Sequence, residues 1–235
     1  MTMEFAAAII ASYLLGSIPA AYIAGKSKGI DLRKHGSGNL GATNVIRVMG
    51  AKIGLLVFAF DMAKGALPVA WFPRLLPPAA LPFGSATIAG ILCGVAAIVG
   101  HVRPIYLKFG RGGKGVATSA GVFLALAPIQ TLLTLVIFAV VLMTSGFVSL
   151  GSLISAVMLP VLLGITIGPK SPLFLISLAV ALFVFWTHRA NIGRLRRGEE
   201  HRFGKRTVPP NQPVATLAIS VVVLFAVLIA KRFAS

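Results

Sequence analysis

Acidic residues are almost missing from this sequence: five in 235 residues, against 22 Lys and Arg. Charged residues of both signs make up 11% of the chain, where a soluble domain carries about 25%. So little polarity cannot cover a soluble surface. With 57% hydrophobic residues and a mean hydropathy of +0.93, the bilayer must be the solvent for most of the chain. Cysteine is nearly absent too: Cys93 stands alone in an apolar run, which excludes a disulfide framework and a cysteine-based metal site. The carboxylates near basic stretches are Asp31, Glu199 and Glu200, all at the edges, so no Ser-His-Asp arrangement is evident. The amino terminus, MTMEFAAAII, lacks a basic n-region, and its apolar run is too long for a signal peptide. It reads as a retained first span.

What is present is a series of apolar runs. A spanning helix needs about 20 such residues, and candidates lie at 5–25, 52–72, 84–102, 116–128, 129–146, 150–168, 171–188 and 213–230. The predicted fold is all-α: a polytopic membrane helix bundle of seven core spans with an extra C-terminal hydrophobic helix. Residues 1–208 are expected to form the membrane-embedded domain and 209–235 a C-terminal extension. The 213–230 segment, followed by Lys231 and Arg232, is read as an eighth span, with an interfacial helix as the alternative.

The uncharged run 116–143 contains Pro128, which permits either one long helix or two segments meeting at the proline. Charge decides. The stretches 26–52, 103–115 and 189–206 hold 17 of the 22 cations. A break at Pro128 places all three on one side, and cytoplasmic loops carry the excess of Lys and Arg. The pieces on either side of the break are short, so one is expected to be tilted or re-entrant. The N-terminus is then outside, and the basic stretches face the cytoplasm.

The first basic linker contains GSGNLGATNVIR at 36–47, with glycines at 36, 38 and 41 that let backbone N–H groups turn toward a ligand. Ser37, Gly38, Asn39, Thr43, Asn44 and Arg47 are its candidate ligand contacts, and Thr43 or Asn44 can also cap a short helix carrying Arg47. A flexible polar turn is the bland alternative. The second linker, with Gly110, Arg111, Gly112, Gly113, Lys114 and Gly115, is not a P-loop, because Lys114 is followed by glycine. It is still a glycine nest around an ammonium group, opening into a helix, which suits a phosphate. In the third stretch His188 and Asn191 fall at helical spacing, and His188 reads equally as a packed or a reactive residue. Arg196 and Arg197 are expected at anionic lipid. Asp61 and Lys64, at i and i+3 within a span, read as an internal ion pair, with a proton path as the sharper alternative. His101 and Arg103 can serve as interface anchors, and the hydroxyls of 144–152, Ser152 among them, can complete a site.

Taken in order, GSGNLGATNVIR (36–47), the D-x-x-K-G pattern at 61–65, GHVRPIYLKFGRGGKGVAT (100–118) and HRANIGRL (188–195) resemble the bacterial acyl-phosphate:glycerol-3-phosphate acyltransferases, the PlsY family. The resemblance runs from about residue 4 to about residue 204. It implies transfer of an acyl chain from acyl phosphate to the sn-1 hydroxyl of glycerol 3-phosphate, giving lysophosphatidate and phosphate at the first acylation of phospholipid synthesis. It implies no metal or cofactor, membrane lipids as surroundings, and the bacterial inner membrane as location. The matching positions are Ser37, Arg47, Lys114 with its flanking glycines, His188 and Asn191, with Ser152 less securely aligned. Lys114, His188 and Ser37 are the expected catalytic set. The chain lacks the His-x4-Asp box of thioester-using acyltransferases. The family is usually described with seven spans, so the segment after Pro209 is a departure.

A transporter of phosphorylated metabolites is the rival reading. Against it, the charges deep in the spans are only Asp61 and Lys64, with no cationic path to the far side. Nucleic-acid binding is disfavoured, because the basic linkers have almost no aromatic residues for stacking.

Overall fold

The computed structural model describes residues 2–203, which form ten α-helices and no strand. The expected 213–230 helix and the 209–235 extension lie outside the described residues, as do Lys205 and Arg206. The described residues fall into two compact units that meet in sequence at Pro128.

The first unit begins with α1 (Met3–Ser17), where the Thr2 hydroxyl accepts from the Phe5 N–H and Glu4 sits in the first turn. Both features favour a helix N-terminus. Pro19 stops α1, and after a non-helical Ile18 the span resumes as α2 (Ala20–Lys26). A basic linker leads to the short α3 (Ala42–Met49), and Gly50, at φ +90°, turns the chain into α4 (Ala51–Leu75). The second hydrophobic crossing, α4, is 25 residues long, about 37 Å at about 1.5 Å per residue. It is followed by α5 (Ala86–Val102) and α6 (Val116–Leu126).

Close backbone approach holds these helices together. A Cβ at Gly16 would collide with the Ala97 carbonyl of α5, and one at Gly100 with the Tyr13 carbonyl of α1. Between α4 and α6, Gly65 lies against the Thr118 carbonyl and Gly121 against that of Met62. Small residues at helix crossings serve this purpose in lipid, where apolar surfaces have no separate drive to associate. The burial pattern is inverted accordingly. Leu55, Leu56, Trp71 and Leu75 are exposed on α4, whereas Asp61 and Lys64 are buried. Lys64 Nζ lies 2.8 Å from Asp61 Oδ1, so the internal ion pair expected from the sequence is formed.

The second unit contains α7 (Pro128–Ser145), α8 (Val148–Thr166), α9 (Pro172–Thr187) and α10 (Arg189–Arg196). Ile137 and Val141 of α7 pack with Leu150, Ile154 and Met158 of α8. Gln130 Nε2 donates to Thr166 Oγ1 at the other end of that pair. Ser171 caps α9 by accepting from the Phe174 N–H, with Pro172 at the first helical position. At His188 the axis bends by 60° into α10.

Five segments are long and apolar enough to cross a membrane: Met3–Lys26, Ala51–Leu75, Ala86–Leu107, Pro128–Ser145 and Val148–Thr166. The bent pair α9 and α10 makes at most a sixth. Among the described residues five or six segments thus qualify as spans by length and composition, and the expected segment before Pro128 is the shorter apolar helix α6. The break at Pro128 is present, but α6 has only 11 residues, about 16 Å against a hydrocarbon core of about 30 Å.

Candidate active site

The first basic linker is pinned from below by apolar side chains. Leu32, Leu40 and Val45 are buried with Ala21 and Val57 in one cluster, leaving residues 33–38 at the surface. Arg33 pairs with Asp31 at 2.9 Å and stacks over Tyr22, its guanidinium 5.5 Å from the ring centre. Hydrogen bonding from Arg33 holds the Asp31 carboxyl below the usual carboxylate range.

Asn44 organises the loop. Its Oδ1 accepts from the Ser37 N–H at 2.8 Å, and its Nδ2 donates to the carbonyls of Leu32 (3.2 Å) and His35 (3.1 Å). This corrects the capping role: α3 starts after Gly41 with no side-chain cap, and Thr43 and Asn44 lie inside its first turn. Asn44 is buried with both amide hydrogens committed to the chain, so it shapes the loop and leaves donation to a ligand to others. Ser37 and Arg47 are exposed, and Asn39 and Thr43 are half-buried.

The second linker begins where the Tyr13 hydroxyl donates to the Arg103 carbonyl at 2.8 Å. It passes through Lys108 and Phe109 in the left-handed region and reaches Gly112, whose N–H donates to the Val102 carbonyl at 3.0 Å. Gly115, at φ +85°, turns the chain into α6 without any side-chain cap. The N–H groups of the first turn of α6 therefore point out of the helix end beside Lys114. Arg111 is exposed, whereas Gly112, Gly113 and Gly115 are buried. A Cβ at Gly113 would collide with His101 Nε2 on one side and lie 3.1 Å from the Leu40 carbonyl on the other. The two glycine loops thus touch at Gly113, at one end of the first unit.

In the second unit the polar residues gather on a carboxylate. Glu200 Oε1 accepts from Asn191 Nδ2 at 2.6 Å and from Ser149 Oγ at 2.8 Å, and Oε2 accepts from Arg194 Nε at 2.7 Å. Burial by itself would raise the Glu200 carboxyl, but the bonds from Asn191, Ser149 and Arg194 hold it below the usual carboxylate range. His188 is buried, with Nδ1 2.9 Å from the Val184 carbonyl. A carbonyl only accepts, so Nδ1 carries a proton and the lone pair of the neutral ring lies on Nε2. Ser152, also buried, donates to the Val148 carbonyl of its own helix at 2.9 Å.

The family model for glycerol-3-phosphate acyltransferase matches residues 6–198. The chain belongs to this family. A glycerol-3-phosphate acyltransferase from Synechococcus elongatus is 42% identical over 207 residues, covering 88% of this chain and 98% of that protein. One from Chlorobaculum tepidum is 38% identical over 231 residues, covering 87% and 99%. The crystal structure of PlsY, an integral membrane glycerol 3-phosphate acyltransferase, in its glycerol 3-phosphate form superposes with a TM-score of 0.77. That structure is 36% identical and covers 85% of this chain and 96% of its own. Its lysophosphatidic acid form gives 0.73 at 34% identity. The membrane helix bundle read from the sequence is thereby established.

The matched region includes residues of both units and every candidate site residue from Ser37 to Asn191. Leu40 of the first linker meets Gly113 of the Lys114 loop, and Asn191 and Ser149 share Glu200 in the second unit. Ser149 belongs to the 144–152 hydroxyls expected near a site, whereas Glu200 is the residue that sequence reasoning passed over. Glu200 looks like an edge charge in a basic tail. The signal available was its isolation: a lone acidic pair, Glu199 and Glu200, among seven cations in 189–206.

Proposed function

We propose that this glycerol-3-phosphate acyltransferase takes its acyl chain from acyl phosphate and releases lysophosphatidate and inorganic phosphate. The supporting observation is the contact of the two glycine loops at Gly113, which puts two anion-binding elements side by side. Both substrates of such a reaction carry phosphate.

Lys114, with the amides of 112–115 and the start of α6, receives the acyl phosphate and stabilises charge developing at the reacting carbonyl. The Ser37 hydroxyl and Arg47 hold the phosphate of glycerol 3-phosphate, with Asn44 fixing the loop that presents Ser37. His188 and Asn191 are assigned as substrate contacts of the second unit. The glycerol oxygen attacks the acyl carbon, the bond from that carbon to the bridging phosphate oxygen breaks, and the hydroxyl proton passes to the departing phosphate. Because acyl phosphate is an activated anhydride, proximity and electrostatics supply the acceleration without a dedicated strong acid. The basic loops face the cytoplasm at the bacterial inner membrane, where excess Lys and Arg belong.

The test is an assay of purified protein in lipid with glycerol 3-phosphate and either synthetic acyl phosphate or acyl-CoA, following product by mass spectrometry. Lysophosphatidate from acyl phosphate alone is expected. Product from acyl-CoA alone, or none from acyl phosphate in folded protein, overturns the donor assignment.

A further inference from the structure

Three ionisable residues of the first unit have no part in the chemistry so far: Asp61, Lys64 and His101. Their relative exposures are 2%, 4% and 6%. Burial of such groups within membrane helices is costly, and an apolar core would pack the same helices with less penalty. What they touch is informative. Lys64 Nζ, paired with Asp61, also donates to the Ile18 carbonyl at 2.8 Å, at the break between α1 and α2. Asp61 Oδ1 lies 3.5 Å from His101 Nδ1. The far edge of the same ring meets the second glycine loop: His101 Nε2 occupies the space that a Cβ at Gly113 would need, and the His101 carbonyl does the same at Gly112.

These contacts form one buried polar column, from Ile18 through Lys64, Asp61 and His101 to Gly113. We infer that His101 is a positioning residue for the phosphate-binding loop, its imidazole a floor under Gly112 and Gly113 that Asp61 and Lys64 hold in place. The inference rests on the reading of the Lys114 loop as a phosphate site. The Nδ1 edge faces the Asp61 carboxylate at 3.5 Å, and Nε2 is the edge presented to the loop. Gly113 is glycine for a matching reason. Its φ is not in the left-handed region, so an alanine would be excluded by the ring beneath it rather than by backbone strain.

The test uses full-length protein in detergent, with calorimetric titration of inorganic phosphate as a readout independent of acyl chemistry and thermal unfolding run alongside. Gln places its terminal amide near the position of Nε2, whereas Asn reaches only Nδ1. His101→Gln should therefore bind phosphate nearly as wild type does, while His101→Asn should bind it about tenfold more weakly and raise the acyl-phosphate KM more than it lowers kcat. Gly113→Ala should lose binding, and the pair Gly113→Ala with His101→Ala should recover part of it, a non-additivity that contact residues show. Equal losses in the Gln and Asn variants that track unfolding temperature, or strictly additive effects in the pair, would overturn the inference. If His101→Asn does not fold, the Gly113 pair decides. Wild type that binds phosphate but turns over no acyl phosphate would sink the donor assignment and leave the loop seat standing. Normal turnover with variants indistinguishable from wild type would do the reverse.

Discussion

The two units build polar sites by different means. In the first, the backbone does most of the presenting: glycine loops, an uncapped helix start, and an amide, Asn44, bonded to the chain rather than aimed outward. In the second, side chains converge on one carboxylate, with Glu200 gathering Asn191, Ser149 and Arg194. The contrast teaches that an anion site needs its own carboxylates kept away or tied up. In the first unit Asp31 is held by Arg33 and Asp61 by Lys64, so both carboxylates are already partnered. The second unit can keep a carboxylate because its three donors satisfy it.

Breaking the first unit's design should have the largest effect. Lys114→Ala is expected to lower kcat/KM by about a thousandfold, the scale of losing a transition-state charge partner. Steady-state kinetics with acyl phosphate checks this, and near-normal turnover would sink the assignment. Next comes Asn44→Ala, which leaves the Leu32 and His35 carbonyls and the Ser37 N–H without their partner, a loss of about 2–3 kcal/mol. It should raise the KM for glycerol 3-phosphate more than that for the donor, because only the first loop loses its shape.

The second unit responds through pH. The Glu200 carboxyl is held low in the folded protein, so its contribution to stability is present above the unfolded carboxylate range and is lost as pH falls through the folded value. Glu200→Gln should therefore lower the unfolding temperature at neutral pH and converge with wild type in acid. A constant offset at every pH would show that the charge is not what Asn191 and Arg194 require. The smallest effect should come from Arg197→Ala, which removes an exposed pair with Glu199 at 2.8 Å and should shift stability by less than about 1 kcal/mol. Thermal unfolding at two salt concentrations is sufficient to see it.

Much of this was legible in the sequence for definite physical reasons. Apolar runs mark spans because lipid tolerates little else, and the loops at 36–47 and 110–115 are visible because glycine density and cations coincide there. The pair of Asp61 and Lys64 follows from helical spacing alone. Other features depend on long-range geometry. That α6 stops at Leu126, leaving Ala127 at φ −147° before Pro128, fixes its length at 11 residues, where the apolar run showed only that the piece is short. Asn44 reads as a cap by position, yet its amide is claimed by carbonyls 9 and 12 residues upstream. Glu200 acts across 51 residues on Ser149, a separation at which local pattern is silent.

The contact at Gly113 has a thermodynamic consequence. A backbone contact shared by two loops would, on the proposed function, give each loop's occupant a stake in the other's geometry. If the first phosphate to bind shifts the Leu40 carbonyl or the Gly113 peptide, the affinity for the second changes by some factor. Linkage then requires the reverse order of binding to show the same factor. Donor and acceptor would report on one another before any bond is made.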